Sequence, residues 1–226
     1  MKKAPRLPLA LAGLLSITFL AASARAQDVK PGDPAAAHKK VAMCIGCHGI
    51  PGYQSSFPEI HRVPMISGQS AKYIVAALQA YQKGDRKHPT MKGIAASLTE
   101  QDMADIAAYY EADGKALPPS PAKVSTASAE IDALLKRGNC ISCHGENLNK
   151  PIDASYPKLA GQHKDYLYVA MKSYQVDKNP HVGRNNAIMA TQAKMFTHAE
   201  LKQLSNYIGS LGGDLKTVPQ SRFKAQ

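Results

Sequence analysis

Two short stretches decide how this chain is read: "CIGCH" at residues 44–48 and "CISCH" at residues 140–144. The chain has only four cysteines, and these two copies use all of them. In each copy a histidine follows the second cysteine directly: Cys44, Cys47, His48 and Cys140, Cys143, His144. Paired thiols two residues apart could close a disulfide framework, hold zinc or exchange electrons as a dithiol. Zinc has no need of a histidine immediately after each pair, and a dithiol redox unit needs a βαβ context that the sequence does not offer. C-x-x-C-H is instead the attachment pattern of c-type haem, whose vinyl groups take up the two thiols while the adjacent histidine ligates iron. Two copies predict two covalently attached haem c groups.

Outward from the motifs, the rest of the chain is also written twice. "VPMISGQSAKYIVAALQAYQKGDR" corresponds to "YPKLAGQHKDYLYVAMKSYQVDKN", matching Pro64 to Pro157, Gly68 to Gly161, Gln69 to Gln162, Tyr73 to Tyr166 and Tyr81 to Tyr174. Farther on Met91 matches Met189, Thr99 matches Thr197 and Tyr109 matches Tyr207. The offset drifts from 96 at the cysteines to 93 at Gly-Gln and 98 at the methionines, which places insertions in loops between fixed elements. Apolar and aromatic residues at helical spacing (Tyr73, Ile74, Ala77, Leu78, Tyr81 and their partners in the second half) predict one amphipathic helix per half. Thr99-x-x-Asp102 and Thr197-x-x-Glu200 read as capping boxes opening the last helix of each half. A helix should precede each motif, one capped by Asp33 and one by Ser128. No alternating strand pattern is visible.

The opening 26 residues carry a basic start (Lys2, Lys3, Arg6), an apolar run and Ala24-Arg25-Ala26, the form of a cleaved secretory signal. The expected order is a signal peptide over 1–26, an N-terminal domain over 27–115, a proline-rich linker over 116–127 and a C-terminal domain over 128–226. The mature protein is expected to be periplasmic, with no membrane span left after cleavage. Each half is small, and the chain contains no tryptophan. Haem should therefore form much of each core.

These features together resemble the class I cytochromes c, in particular the two-haem periplasmic cytochromes of the c-four type. The resemblance covers essentially the whole mature chain. It implies an all-α protein of two tandem class I cytochrome c domains, each wrapped around one covalent haem. It also implies that the carbonyls of Pro64 and Pro157 hold the second ring nitrogen of His48 and His144.

The sixth iron ligand is expected from Met91 and Met189, the two methionines that occupy matching places, each eight residues before its capping threonine. Met65 faces Lys158 and Met195 faces Ser97 in the alignment, so neither recurs. Met43, Met103 and Met171 are expected as core filler on helices. Histidine is the chemical alternative, and His88 and His181 sit in corresponding loops, but at unequal distances from Met91 and Met189, so they are expected as exposed loop residues. His38, His61, His163 and His198 have no matching partner and are expected at the surface.

Histidine–methionine ligation at both irons would leave no open position for a substrate, which describes an electron carrier and no catalyst. The alternatives are the haem subunit of a larger dehydrogenase, or a two-haem peroxidase or thiosulfate-oxidising enzyme with one iron open. Expected partners are redox proteins such as a membrane-bound cytochrome complex, a terminal oxidase or a dehydrogenase; an exported protein has no nucleic acid to bind. The formal charge of +11 includes four cations in the leader. Residues 27–121 carry 10 basic against 9 acidic side chains and residues 122–226 carry 14 against 8. The excess is either a solvated face or a docking face for an acidic partner.

Overall fold

The structure is a computed structural model that describes residues 30–123 and 126–219, besides Met1. The signal peptide expected over 1–26 has no described residue apart from Met1. Among the described residues no helix is long and apolar enough to cross a membrane.

The first half holds α1 (Ala42–His48), α2 (Ala71–Lys83), α3 (Pro89–Ala96) and α4 (Glu100–Lys115). The second holds α5 (Ala129–Arg137), α6 (Ile141–His144), α7 (Lys164–Gln175), α8 (Ala187–Ala193) and α9 (His198–Ser210). The expected amphipathic helices are α2 and α7, and they bury Ile74 and Leu78, and Leu167 and Ala170, respectively. Each packs on the last helix of its own half, α2 on α4 and α7 on α9. Met103, Ile106 and Tyr110 form the inner face of α4, and Leu201, Leu204 and Ile208 occupy the same places on α9. Full burial of one such side chain is worth about 1.5–3 kcal/mol. Both last helices start on complete capping boxes, with Thr99 answered by Asp102 and Thr197 by Glu200.

The segments before the motifs differ from expectation in the first half. Asp33 caps only a turn, accepting from the Ala35 N–H, and a 3₁₀ turn (Ala36–Lys39) follows. The motif itself then forms α1. In the second half Ser128 caps α5 as expected, and the motif forms the separate short α6.

Among the described residues there are four two-residue strands, although no alternation announces them. β1 (Gln54–Ser55) pairs with β2 (His61–Arg62) within the first half. β3 (Arg86–Lys87) pairs antiparallel with β4 (Gly183–Arg184), joining the two halves through their backbones. Two further ties cross the chain: Ser120 pairs with Gly213, and Ser67 with Lys216.

Gly68 and Gly161 are where α2 and α7 are launched, and both have positive φ, +87° and +77°. Their N–H groups donate to the carbonyls of Tyr110 and Ile208 on the last helices. A β-carbon on Gly68 would lie 2.4 Å from the Asp214 carbonyl oxygen, so only glycine fits both the turn and the approach.

Candidate haem sites

The histidine of each motif is held the same way. His48 Nδ1 lies 2.8 Å from the Pro64 carbonyl oxygen, and His144 Nδ1 lies 2.9 Å from that of Pro157. A carbonyl can only accept, so Nδ1 carries the proton and Nε2 keeps its lone pair. Burial lowers the pKa of both rings, against the hydrogen bond to proline, and keeps them neutral. A neutral imidazole with Nδ1 tied and Nε2 available is the form that binds iron.

All four cysteines are half-buried, and no two of them form a disulfide. Burial pushes the Cys44 thiol up to about 11 and raises that of Cys140. Among the described residues no three His, Cys, Asp or Glu side chains gather as a metal-ion site. The donor set therefore fits covalent attachment to a macrocycle better than direct chelation.

Met91 and Met189 occupy the same turn of equivalent helices. Met91 is the third residue of α3, and its N–H donates to His88 Nδ1 at 3.4 Å; Met189 is the third residue of α8, and its N–H donates to Asn186 Oδ1 at 2.9 Å. The far end of each helix is pinned alike. Gln82 Nε2 donates to the carbonyls of Ala95 and Leu98, and Gln175 Nε2 to those of Ala193 and Phe196. Met91 and Cys44 border the same buried core, whereas Met189 is half-buried and lies outside the corresponding cluster.

Several surface expectations need correction. Met43, expected in a core, is 42% exposed, because α1 turns that position outward. His61 is buried, its Nδ1 on the Glu59 carbonyl and its ring against Tyr166 of the other half. His88 is a helix cap whose structural partner is Asn186. Met103 is fully buried, as expected, and Met195 is exposed.

A further constellation went unread in the sequence. Arg86 and Arg184 sit opposite each other in the β3–β4 pair. Arg86 donates to the Tyr73 hydroxyl and lies over the rings of Tyr73 and Tyr81; Arg184 does the same with Tyr166, and lies over Tyr166 and Tyr174. Among the described residues no carboxylate forms an ion pair with either guanidinium. Burial raises the pKa of Tyr166, yet Arg184 and Arg86 reverse this and bring it down to about 8. Arg86 is buried and Arg184 half-buried, and two such cations without anions fit carboxylates of the kind that haem carries as propionates. The signal was present in the sequence. At the offset of 98 set by the methionines Arg86 matches Arg184, but a five-residue insertion after Gln175 sets it against Asn179 in a gapless alignment.

The fold and these sites define a pair of helical units built to hold haem. The sequence profile of the Cytochrome c family matches residues 35–111 and 128–212. Cytochrome c4 of Azotobacter vinelandii is 29% identical over 214 residues, covering 87% of this chain and 94% of that protein. The thiosulfate dehydrogenase electron acceptor of Thiomonas intermedia is 26% identical over 187 residues, covering 80% and 83%. Among solved structures, reduced cytochrome c4 of Pseudomonas stutzeri matches with a TM-score of 0.57 at 27% identity, covering 80% of this chain and 99% of that one. The chain belongs to the cytochrome c family, as a two-domain member similar to cytochrome c4. It carries two covalent haem c groups and transfers electrons without being an enzyme.

Proposed function

We propose that Cys44 and Cys47, and Cys140 and Cys143, form the thioether links, that His48 with Met91 and His144 with Met189 ligate the two irons, and that Pro64 and Pro157 orient the histidines. Haem iron supplies a one-electron couple whose potential methionine ligation raises. The chain's residues keep each imidazole neutral and fixed, and His48 with Met91 and His144 with Met189 would supply the ligands to each iron. Arg86 and Arg184 are assigned to the haem propionates. The domains are taken as 27–115 and 128–226, joined by 116–127.

The observation that carries this reading is the duplication of one complete constellation: a histidine tied to a proline carbonyl, and a methionine at the third place of a capped helix. With both sites closed alike, the protein is a periplasmic relay between redox partners. In Met91→Ala or Met189→Ala, one methionine-to-iron charge-transfer band should vanish, that haem's potential should fall and its iron should bind cyanide or carbon monoxide. Met195→Ala should change none of these; loss of the second band in Met195→Ala instead would reassign the ligand.

A second reading follows from the relative in Thiomonas intermedia, whose name makes it an acceptor for thiosulfate dehydrogenase. On that reading the donor is a thiosulfate-oxidising enzyme, and reduction by such an enzyme with thiosulfate in stopped flow would support it. Docking to an acidic partner should slow as salt rises. Lys158 and Lys72 are engaged in ion pairs with Asp214 and Asp153, so Lys150 and Lys164, both exposed, are the second-half positions to reverse, against Lys39 in the first.

A further inference from the structure

The residue after each histidine-holding proline is gripped by the opposite half. Gln162 Oε1 accepts from the Met65 N–H at 3.0 Å, and Gln162 Nε2 donates to the Met65 carbonyl at 2.9 Å. Gln69 Oε1 accepts from the Lys158 N–H at 2.9 Å, and Gln69 Nε2 donates to the Lys158 carbonyl at 3.1 Å. Both glutamines are 4% exposed. Each is set in place by the start of its own helix, since Oε1 also accepts from the N–H of the next residue, Ser70 or His163, at 3.0 Å.

The peptide involved is the informative part. The N–H of Met65 and the carbonyl of Pro64 belong to one amide. The chain of bonds therefore runs from His48 Nδ1–H to the Pro64 carbonyl, through that amide to the Met65 N–H, and on to Gln162 Oε1. The mirror chain runs from His144 through Pro157 and Lys158 to Gln69. Donating a hydrogen bond from its N–H end polarises an amide and makes its carbonyl a better acceptor. A better acceptor on Nδ1–H makes the imidazole more electron-rich at Nε2.

We infer that Gln69 and Gln162 are crossed positioning residues, each tuning the iron ligand of the opposite domain: Gln162 acts on His48, and Gln69 on His144. The inference rests on these histidines being iron ligands. An electron-rich imidazole favours the ferric state, so each glutamine lowers the potential of the other half's haem. Docking of the halves is thereby written into both potentials.

The test uses the full-length two-haem protein, with Gln69→Met and Gln162→Met, which keep side-chain length and remove the amide. Spectroelectrochemical titration, with the haems assigned by NMR, should show the first-half haem raised in Gln162→Met and the second-half haem raised in Gln69→Met. The His48 Nδ1–H resonance of the reduced protein should move upfield in Gln162→Met, reporting a weaker bond to Pro64, while that of His144 stays. Equal shifts of both haems, a shift confined to the mutated half, or an unmoved His48 resonance would overturn the inference. The ligand assignment fails separately: a wild-type His48 ring without iron-induced shifts in the oxidised protein would remove it, whatever the variants do. If a methionine variant does not fold, Gln162→Glu serves, since its carboxylate is the stronger acceptor. It should lower the first haem more than the second, and the reverse order would count against the crossing.

Discussion

The two halves hold their histidines with the same bond to within 0.1 Å, yet build the surroundings from different parts. In the first half the motif rides on the seven-residue α1, and the path from His48 to Pro64 includes the β1–β2 hairpin. In the second the motif occupies the four-residue α6, and Gly145, at φ +83°, turns the chain directly against Lys150. Tyr110 places a hydroxyl beside Cys44, while Ile208 stands at that place in the second half. His88 and Asn186 perform one capping task with unlike side chains. The contacts that match are those made to backbone atoms, which any neighbouring side chain leaves in place. Contacts between particular side chains have diverged at these places, although the Arg86 and Arg184 contacts with their paired tyrosines are kept in both halves.

That contrast is most open to attack at the motifs. Replacing Cys140 and Cys143 with serine, or Cys44 and Cys47, should leave a protein one haem short by mass spectrometry and abolish the cooperative melting of the affected half. The loss of helical circular dichroism should be larger for the second half, because a four-residue helix cannot persist alone. Equal losses would mean that the scaffolds differ in form only.

The glycines sharpen the comparison at intermediate cost. Both left-handed positions should cost about 1–2 kcal/mol when changed to alanine. Gly68→Ala should cost more than Gly161→Ala, since its β-carbon would lie 2.4 Å from a backbone oxygen, against 3.1 Å. Thermal melts should rank them in that order; Gly161→Ala as the worse of the two would contradict the packing described.

The smallest effects belong to the capping boxes. Thr99→Ala and Thr197→Ala should each cost about 1 kcal/mol by chemical denaturation. Their acid behaviour should differ. Arg137, followed by Thr197, brings Glu200 down to about 2. Burial pushes Asp102 up, but Lys40 and Thr99 together leave it below the ordinary aspartate value. A carboxyl lowered in the folded state stabilises above its unfolded pKa, and that stability is lost as pH falls through the folded one. The Glu200 contribution should therefore disappear between about 4.5 and about 2. Glu200→Gln should flatten the stability profile in that window, and an unchanged profile would show the carboxylate to be idle.

The motifs, the paired helices and the capping boxes were legible because each recurs at a fixed local spacing. The contacts between the halves were not. Strands of two residues have no room for alternation, so β3 and β4 leave no trace in a single sequence. Arg184 was hidden by an insertion that shifts the register just before it. His61 read as a surface histidine because its burial depends on Tyr166, about a hundred residues away. Gln69 and Gln162 were visible as a matched pair, but their partners lie across the fold, and spacing within one half cannot reveal them.

The pairing of Ser67 with Lys216 bears on the order in which the molecule is made. The backbone just after Pro64 in the first half receives a partner from a stretch about 150 residues further along. Gly68 is likewise closed over by Asp214. The segment that follows Pro64 can therefore be closed only once the end of the second half has been made. The last backbone closure on the first half is thus a long-range one, supplied by the end of the second.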